Sequence, residues 1–333
     1  ECPGTLVDVF KKSKDLVILD DAVEESGILS KFIDGSCDAK KSEDGHFYAI
    51  DSTAPQACLI YYNKDVFEEH GFRIPEGIDD AYTLDEVYEM AKEVSTPEMV
   101  GIKIIMDKGE GMIYGLSPLF DSAGAPLVSE DGSKADGYIN SEKSVETAAK
   151  LQKFFDEKLA NIDPTPTEFQ DQKAAMWIAG NTNQMVQFEQ FPDLHWGATY
   201  LPKTGDHVVS NCGSWTLGIS KDCKDPDAAY VALEFMTNSE STRLYGEVGG
   251  YPPARKSAYE NNTQWDEYPY SLAKEQLFEA AVPRPKTPVY TVLTSKFAEA
   301  MLDIFTGSDA KESLDAVASY VDDEYARVQD SMK

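Results

Sequence analysis

The stretch from residue 57 to residue 67 reads Ala57-Cys58-Leu59-Ile60-Tyr61-Tyr62-Asn63-Lys64-Asp65-Val66-Phe67. It begins as an apolar run of strand length and becomes polar after Tyr62. Outward from this stretch, short strand-like runs alternate with capped helical segments. One of these is a capping box, Thr83-Leu84-Asp85-Glu86, which opens a helix that ends near Val94. This alternation predicts an α/β protein.

The same pattern continues on both sides of that stretch. Strands are predicted at Thr5–Phe10, Phe47–Ile50, Cys58–Tyr62, Ile102–Met106 and Trp215–Ser220, and helices at Ala22–Phe32, Met112–Ala123, Ser141–Leu159, Pro226–Met236, Ser239–Gly246, Thr291–Phe305 and Asp309–Gln329. A second capping box, Thr167-Glu168-Phe169-Gln170, predicts a helix that ends at Gly180. The chain has 333 residues, more than one compact core commonly holds, so two lobes are expected.

The chain is strongly acidic, with 59 Asp and Glu against 30 Lys and Arg and a net charge of −29. The electrostatic field of this negative charge repels phosphate backbones, so nucleic acid is not an expected partner. No apolar run approaches the roughly 18–20 residues that span a bilayer. The first residues, Glu1-Cys2-Pro3-Gly4, carry no signal-peptide features, so we expect that any such segment has been removed or was never part of this sequence.

Sequence motifs of catalysis and metal binding are missing. No nucleophile elbow, Walker loop, dinucleotide fingerprint or zinc spacing occurs, and the four histidines are scattered. No catalytic residue, metal or cofactor is therefore predicted. Paired carboxylates of the glycosidase kind cannot be selected from 59 acids, so that class stays open. Of the five cysteines, Cys212 and Cys223 flank a short strand and can either form a disulfide or remain free thiols.

Several motifs share the order and spacing of one known family. They are Gly45–Ile50, Tyr61–Phe67 with His70-Gly71-Phe72 and Pro75, Thr83–Glu86, Phe169 with Ala174–Met176 and Gly180, Gly213–Ile219 followed by Asp225–Phe235, Tyr251–Arg255, and Gly307 before the last helix. Together these segments resemble the extracellular solute-binding proteins of sugar-type ATP-binding-cassette (ABC) importers, the family that includes maltodextrin-binding protein. The resemblance covers almost the whole chain from about residue 5.

This resemblance implies a two-lobed, periplasmic-binding-protein-like clamp of type II. The chain is expected to cross between the lobes near 54–57, 212–217 and 262–268. Lobe I then holds residues 1–54 and 218–262, and lobe II holds residues 57–211 and 268–333. Members of the family begin with a strand–helix–strand unit ahead of the segment that resembles Thr5–Phe10, and this first unit is expected to be missing here.

The resemblance also implies a function without catalysis. The chain is expected to bind a carbohydrate, specifically an oligosaccharide, between its lobes and to deliver it as a monomer to the transmembrane subunits of an ABC permease. It is expected outside the cytoplasm, at the cell surface or in the periplasm, with a lipid anchor in the full-length protein. The alternatives are a glycoside-active enzyme, a surface sensor, and a binder of another small solute such as glycerol phosphate.

The candidate site residues follow from sugar chemistry and from position in the family. Aromatic rings suit the C–H faces of a sugar, and polar side chains suit its hydroxyls, because a buried hydroxyl without a partner costs about 1–3 kcal/mol. The stacking candidates are Trp215, Tyr114 and Tyr251, and the others are Gln56, Asn181, Asn183, Asp51, Thr53, Asp121, Tyr290 and Arg255. Packing in a core is the competing interpretation for Trp215 and Tyr114, and a structural role in a turn is the competing interpretation for Arg255.

Overall fold

The computed structural model describes residues 2–3, 16–20, 46–51, 57–212, 215–253, 255–260 and 262–331. Within these ranges the strands, numbered β1 to β9 in chain order, are Cys2–Pro3, Ala49–Asp51, Cys58–Asn63, Val100–Lys103, Ala174–Asn181, Trp196–Thr199, Ser210–Cys212, Trp215–Gly218 and Ala281–Pro283. The helices, numbered α1 to α10, are Lys64–His70, Leu84–Val94, Glu110–Ser122, Glu142–Asp156, Gln184–Phe188, Pro226–Met236, Ser239–Gly249, Tyr270–Glu279, Tyr290–Phe305 and Ala310–Ser331.

The chain divides into two compact units. Unit 1 consists of Glu1–Gln56 and Cys212–Lys274, and unit 2 consists of Ala57–Asn211 and Glu275–Lys333. Both units are therefore built from two separate stretches of sequence. The third division comes after Lys274, further along the chain than the predicted crossing at 262–268.

Unit 2 is built on a mixed sheet with the strand order β4-β5-β3-β6. Strand β3 runs antiparallel to β5 and β6, β4 runs parallel to β5, and every residue of β3 is buried. The predicted helix from Thr167 to Gly180 is wrong, because the chain turns as far as Gln172 and then forms β5. A strand inside a sheet whose two faces are both covered is apolar on both sides, and its sequence lacks the alternation that separates a strand from a helix.

Helices cover the sheet of unit 2 and pack on one another through aromatic side chains. Phe120 of α3 meets Phe297 of α9 edge-on, with 5.5 Å between ring centroids. Phe155 of α4 stacks on Phe305 of α9, with 4.2 Å between centroids. The predicted helices at Met112–Ala123, Ser141–Leu159, Thr291–Phe305 and Asp309–Gln329 are confirmed as α3, α4, α9 and α10 with shifted ends.

Unit 1 holds an antiparallel sheet with the strand order β1-β8-β2. Its core contains Leu19, Ile50, Ile219 and Leu233, the last of these from α6. The predicted strands at Phe47–Ile50 and Trp215–Ser220 correspond to β2 and β8 with shifted ends, and the predicted helices at Pro226–Met236 and Ser239–Gly246 correspond to α6 and α7. The predicted strand Thr5–Phe10 and helix Ala22–Phe32 lie outside the described residues.

The capping box at the start of α2 is confirmed. The backbone N–H of Glu86 donates to Thr83 Oγ1 at 3.1 Å, and the backbone N–H of Thr83 donates to Glu86 Oε2 at 2.7 Å. We expect Thr83→Ala to lower the free energy of unfolding by about 1 kcal/mol. The substitution removes the hydroxyl that accepts the backbone N–H of Glu86, which has no partner within the helix. Urea denaturation measures this difference. Thr83→Ser keeps the acceptor and serves as the control, and an alanine variant as stable as the serine variant would contradict the prediction.

Candidate functional site

Tyr114 lies one turn after Glu110 on α3 and is held by side chains from distant parts of unit 2. The guanidinium carbon of Arg284 lies 5.4 Å from the centroid of the Tyr114 ring and 6.0 Å from that of Tyr290. Arg284 also forms an ion pair with Glu110. The hydroxyl of Tyr290 donates to the carboxylate of Glu110, with both oxygens at 2.9 Å. We call Glu110, Tyr114, Arg284 and Tyr290 the Tyr114 cluster.

Burial and the neighbouring groups together set the protonation states of the side chains in the Tyr114 cluster. The side chain of Arg284 is 5% exposed, and that of Glu110 is 32% exposed. Burial alone would lower the pKa of Arg284, but Tyr290, Glu110 and Tyr114 raise it above its usual value. Burial also raises the pKa of Tyr290, so its phenol stays protonated and donates to Glu110. The Tyr114 ring therefore rests on a permanent cation that is itself neutralised by a carboxylate.

The backbone of Tyr114 is anchored as well. The side-chain amide of Asn211, in β7, donates to the carbonyl oxygen of Tyr114. The hydroxyl of Ser117, one turn further along α3, lies 3.4 Å from the Oδ1 of the same amide. These contacts fix the backbone of α3 at the residue that carries the Tyr114 ring. Because the ring and its backbone are both fixed, little conformational entropy is left to lose when a ligand packs on Tyr114.

Asp121 lies two turns after Tyr114 on the same face of α3. Burial raises the pKa of its carboxyl group to about 7. Within the described parts of the chain no side-chain hydrogen bond or ion pair reaches this carboxyl group. A carboxyl group in this state can both donate to and accept from a hydroxyl group near neutral pH.

The two predicted asparagines lie where β5 ends. Asn181 Oδ1 accepts a hydrogen bond from the thiol of Cys58 at 3.3 Å, and the Asn181 carbonyl accepts one from Tyr61 at 2.8 Å. Asn183 directly precedes α5 and is half-buried. Burial raises the pKa of the Cys58 thiol to about 12, so this group is a structural donor and not a nucleophile.

In unit 1, Trp215 is the first residue of β8 and is 48% exposed. Tyr251 stacks on Tyr245 with 4.9 Å between ring centroids and 13° between planes. Arg255 is buried, and its Nε donates to the carbonyl of Thr237, which is the structural role that competed with ligand binding. For this residue the predicted contact with a ligand stays a prediction.

The structure brings some predicted residues together and leaves others apart. Tyr114 and Tyr290 meet in one cluster, and the backbone of Asp51 pairs with Thr216, beside Trp215. Thr53 and Gln56 lie outside the described residues. A cavity of about 370 Å³ on unit 2 contains none of the predicted side chains, and its lining is Ser122–Gly124, Lys143, Glu146, Thr147, Lys150 and Thr204–His207.

Two residues of the Tyr114 cluster, Glu110 and Arg284, were not predicted from the sequence. Glu110 precedes Tyr114 by one helical turn, and that spacing alone makes the two side chains neighbours on α3. Arg284 lies between Pro283 and Pro285, directly after β9. Its position in the chain gives no sign of its partner, because Arg284 and Glu110 are 174 residues apart.

The described part of the chain offers few groups suited to metal binding or thiol chemistry. No group of three or more His, Cys, Asp or Glu side chains there could hold a metal ion. His70 and His195 each pair with a surface carboxylate, Glu93 and Asp65, at 3.0 Å. Cys223 is a free thiol, so the predicted alternative of a disulfide with Cys212 is not formed. None of the helices in the described residues combines the length and the apolar character needed to cross a membrane.

Comparisons with known sequences agree on one kind of protein. Residues 4–272 match the family model described as bacterial extracellular solute-binding protein. A probable ABC transporter-binding protein of Deinococcus radiodurans is 21% identical over 269 residues, which cover 76% of this chain and 63% of that protein. A multiple sugar-binding protein of Streptococcus mutans is 26% identical over 235 residues, which cover 64% of this chain and 53% of that protein. The chain thus spans between about half and two thirds of the length of these curated relatives.

Comparison with solved structures confirms the predicted fold. The ABC substrate-binding protein of Listeria monocytogenes in complex with cycloalternan superposes with a TM-score of 0.85. The sequence identity is 18%, and the superposition covers 97% of this chain and 84% of that chain. The α/β architecture is therefore that of the two-lobed solute-binding proteins.

Proposed function

Since the chain belongs to the bacterial extracellular solute-binding proteins, we propose that it captures a carbohydrate, expected to be an oligosaccharide, and delivers it to the transmembrane subunits of an ABC importer. The choice of carbohydrate rests on one observation, which is the Tyr114 ring fixed on the guanidinium of Arg284. Capture without chemical change is part of the proposal.

The surroundings of Tyr114 suit a sugar in two ways. A rigid, partly exposed tyrosine ring offers apolar area to the C–H face of a pyranose at little entropic cost. The carboxyl group of Asp121, on the same face of α3, has no protein partner in the described residues and can bind a hydroxyl group. In unit 1, the exposed indole of Trp215 and the ring of Tyr251 are kept as predicted contacts.

A thermal-shift screen tests the class of solute. Maltotriose, cycloalternan and other neutral glycans are compared with amino acids, polyamines and glycerol phosphate. A ligand at 100 times its dissociation constant adds about 2.7 kcal/mol to the free energy of unfolding. We expect stabilisation by at least one glycan and by none of the other solutes. If amino acids or glycerol phosphate stabilise the protein and no glycan does, the assignment to carbohydrates is wrong.

The contact with Tyr114 is tested by substitution. We expect Tyr114→Ala to weaken binding of the best glycan roughly tenfold, because the stacking ring is lost, and Tyr114→Phe to bind nearly as well as the parent. Isothermal titration calorimetry gives both affinities. Tyr88→Ala is the matched control, because Tyr88 is another half-buried tyrosine of unit 2, with its hydroxyl bound to Glu157. Equal losses in the Tyr114 and Tyr88 alanine variants would remove Tyr114 from the site.

Two further experiments separate the proposal from its alternatives. Mass spectrometry of the bound glycan after long incubation is expected to return it unchanged, whereas a glycoside-active enzyme would produce fragments or transfer products. Reconstitution with permease and ATPase subunits separates an importer from a sensor. Stimulation of ATP hydrolysis by the liganded protein is expected, and a permease that ignores the protein would favour a sensor.

A further inference from the structure

A loop of unit 2 packs directly against the segment that carries Arg284. It runs from residue 129 to residue 134, between α3 and α4, and we call it the 129–134 loop. A methyl group at Gly132 would lie 1.8 Å from the carbonyl oxygen of Lys286 and 3.2 Å from the Cα of Thr287. The two backbones therefore touch, and only glycine permits so close an approach.

Hydrogen bonds within the 129–134 loop hold Gly132 in this position. Asp131 Oδ1 accepts from the hydroxyl of Ser129 at 2.6 Å, and from the hydroxyl and backbone N–H of Ser133 at 2.7 and 3.1 Å. The backbone N–H of Gly132 donates to the carbonyl of Ser129 at 2.8 Å. The φ angle of Gly132 is 67°, in the left-handed region that favours glycine.

The 129–134 loop is also tied to the last helix of unit 2. Asp322 of α10 accepts the backbone N–H of Ala135 at 2.6 Å through Oδ1. Its other oxygen accepts the backbone N–H of Asp136 at 3.3 Å. The loop is thus a fixed support, and a change in its contact with Lys286 moves the Lys286 backbone more easily than the loop.

A short and stiff segment connects this contact to the Tyr114 cluster. Three of the six residues from 283 to 288 are prolines, whose rings fix the φ angle, so a displacement of one residue is passed to its neighbours. Arg284 lies two residues before Lys286, and its guanidinium carbon is 5.4 Å from the centroid of the Tyr114 ring. On the other side, the backbone N–H of Tyr290 donates to the carbonyl of Thr287 at 3.1 Å.

We propose that the 129–134 loop is a positioning element of the carbohydrate site, with Gly132 as its essential residue. The loop supports the backbone at Lys286 and thereby sets where Arg284 lies beneath the Tyr114 ring. The loop itself touches no ligand. The inference rests on the proposed function, because it is there that the Tyr114 ring is assigned to the sugar.

Nuclear magnetic resonance of the full chain labelled with ¹⁵N at arginine tests the position of Arg284 without any ligand. The spectrum contains one Nε–Hε signal for each of five arginines, Arg73, Arg243, Arg255, Arg284 and Arg327. Arg284→Lys identifies the signal of Arg284. Because this guanidinium lies near two tyrosine rings, its chemical shift reports small displacements. We expect Gly132→Ala to move the Arg284 signal and to leave those of the two arginines in unit 1 in place.

Gly71→Ala is the matched control. The φ angle of Gly71 is 66°, so alanine strains this position as much as it strains Gly132. A methyl group at Gly71 meets no described atom within 4 Å, whereas at Gly132 it strikes the backbone of Lys286. Gly71→Ala is therefore expected to leave the Arg284 signal in place.

Asp131→Ala provides a second route to the same result if Gly132→Ala does not fold. Asp131 is exposed, so its replacement leaves the core intact, but it removes the acceptor that holds Ser129 and Ser133 together. The loosened loop is expected to move the Arg284 signal as well.

Isothermal titration calorimetry measures the consequence for binding. We expect Gly132→Ala to weaken binding of the best glycan about fivefold, because the ring is no longer held where the sugar needs it, and Gly71→Ala to bind as the parent does. The inference is overturned if the Arg284 signal stays in place in the Gly132 and Asp131 variants, or if Gly132→Ala binds the glycan as tightly as Gly71→Ala. If no glycan binds the parent protein, the proposed function fails, and the Arg284 signal alone decides whether the loop positions the cluster.

Discussion

Replacing Arg284 with methionine is expected to lower the free energy of unfolding by about 3 kcal/mol, because one partner of a buried ion pair is removed and the other is left behind. Among the described residues, the carboxylate of Glu110 then keeps only the hydroxyl of Tyr290 as a donor. The ring of Tyr114 also loses the planar cation on which it rests. This loss is at the lower end of the usual range for a buried ion pair because Glu110 is 32% exposed and water can reach it.

Urea denaturation of matched variants measures this effect. Arg243→Met is the control, because Arg243 also binds two carboxylates but does so on an exposed helix, where ion pairs contribute about 0–1 kcal/mol. Adding Glu110→Gln to Arg284→Met is expected to restore part of the lost stability, since the stranded charge is then neutral. If Arg284→Met and Arg243→Met destabilise equally, the ion pair with Glu110 does not support the fold as described.

At pH 8, Asp121→Asn is expected to be more stable than the parent protein by about 2–4 kcal/mol, and at pH 4 the two are expected to be nearly equal. Burial raises the pKa of Asp121 to about 7 in the folded state, against 3.8 for a free carboxyl group. As the pH rises from 4 to 7, the unfolded chain releases this proton and the folded chain retains it. The folded state then binds more protons, so stability falls by up to about 1.4 kcal/mol per pH unit and levels off above pH 7. The amide cannot ionise and escapes this loss.

The difference between variant and parent isolates Asp121 from all other titrating groups. Urea denaturation at pH 4, 6 and 8 is expected to show a gain that grows with pH. Asp156→Asn makes the same change of charge at an exposed position of unit 2 and is expected to show no comparable growth. A gain in the Asp121 variant that is constant with pH would mean that its carboxyl group is not desolvated in the folded protein.

Helix ends are the part of the fold that the sequence predicts best. Thr83 and Asp225 each accept the backbone N–H three residues ahead, at Glu86 and Ala228. These contacts are local, so the residue types at fixed spacing specify them without knowledge of the rest of the chain.

The stretch from Thr167 to Gly180 shows where local reasoning fails. Its capping-box residues and its run of Ala, Met, Trp and Ile suit a helix equally well. What makes Ala174–Asn181 a strand is its place between β4 and β3, which come from other parts of the chain. Tertiary pairing overrides the local preference here.

The candidate site, like the fold, combines local features that the sequence predicts with long-range contacts that it does not. Tyr114 and Asp121 can be placed from the sequence, because they share a helix and a face. Arg284 cannot, because its ion pair joins residues far apart in the chain. The hydrogen bond from Tyr290 to Glu110 could not be predicted for the same reason, and contact of Tyr290 with a ligand stays a prediction.

The interrupted layout of both units has a consequence for biosynthesis. When residue 211 has left the ribosome, neither unit is complete, since unit 1 still lacks Cys212–Lys274 and unit 2 still lacks Glu275–Lys333. The carbonyl of Cys58 in β3, for example, gains its hydrogen bond from the side chain of Gln276, at 2.7 Å, only after that residue has emerged. Closing such long loops slows folding and leaves apolar strands open to aggregation during translation. Holdase chaperones that bind the nascent polypeptide are thus expected to raise the yield of this protein more than that of proteins whose domains emerge whole.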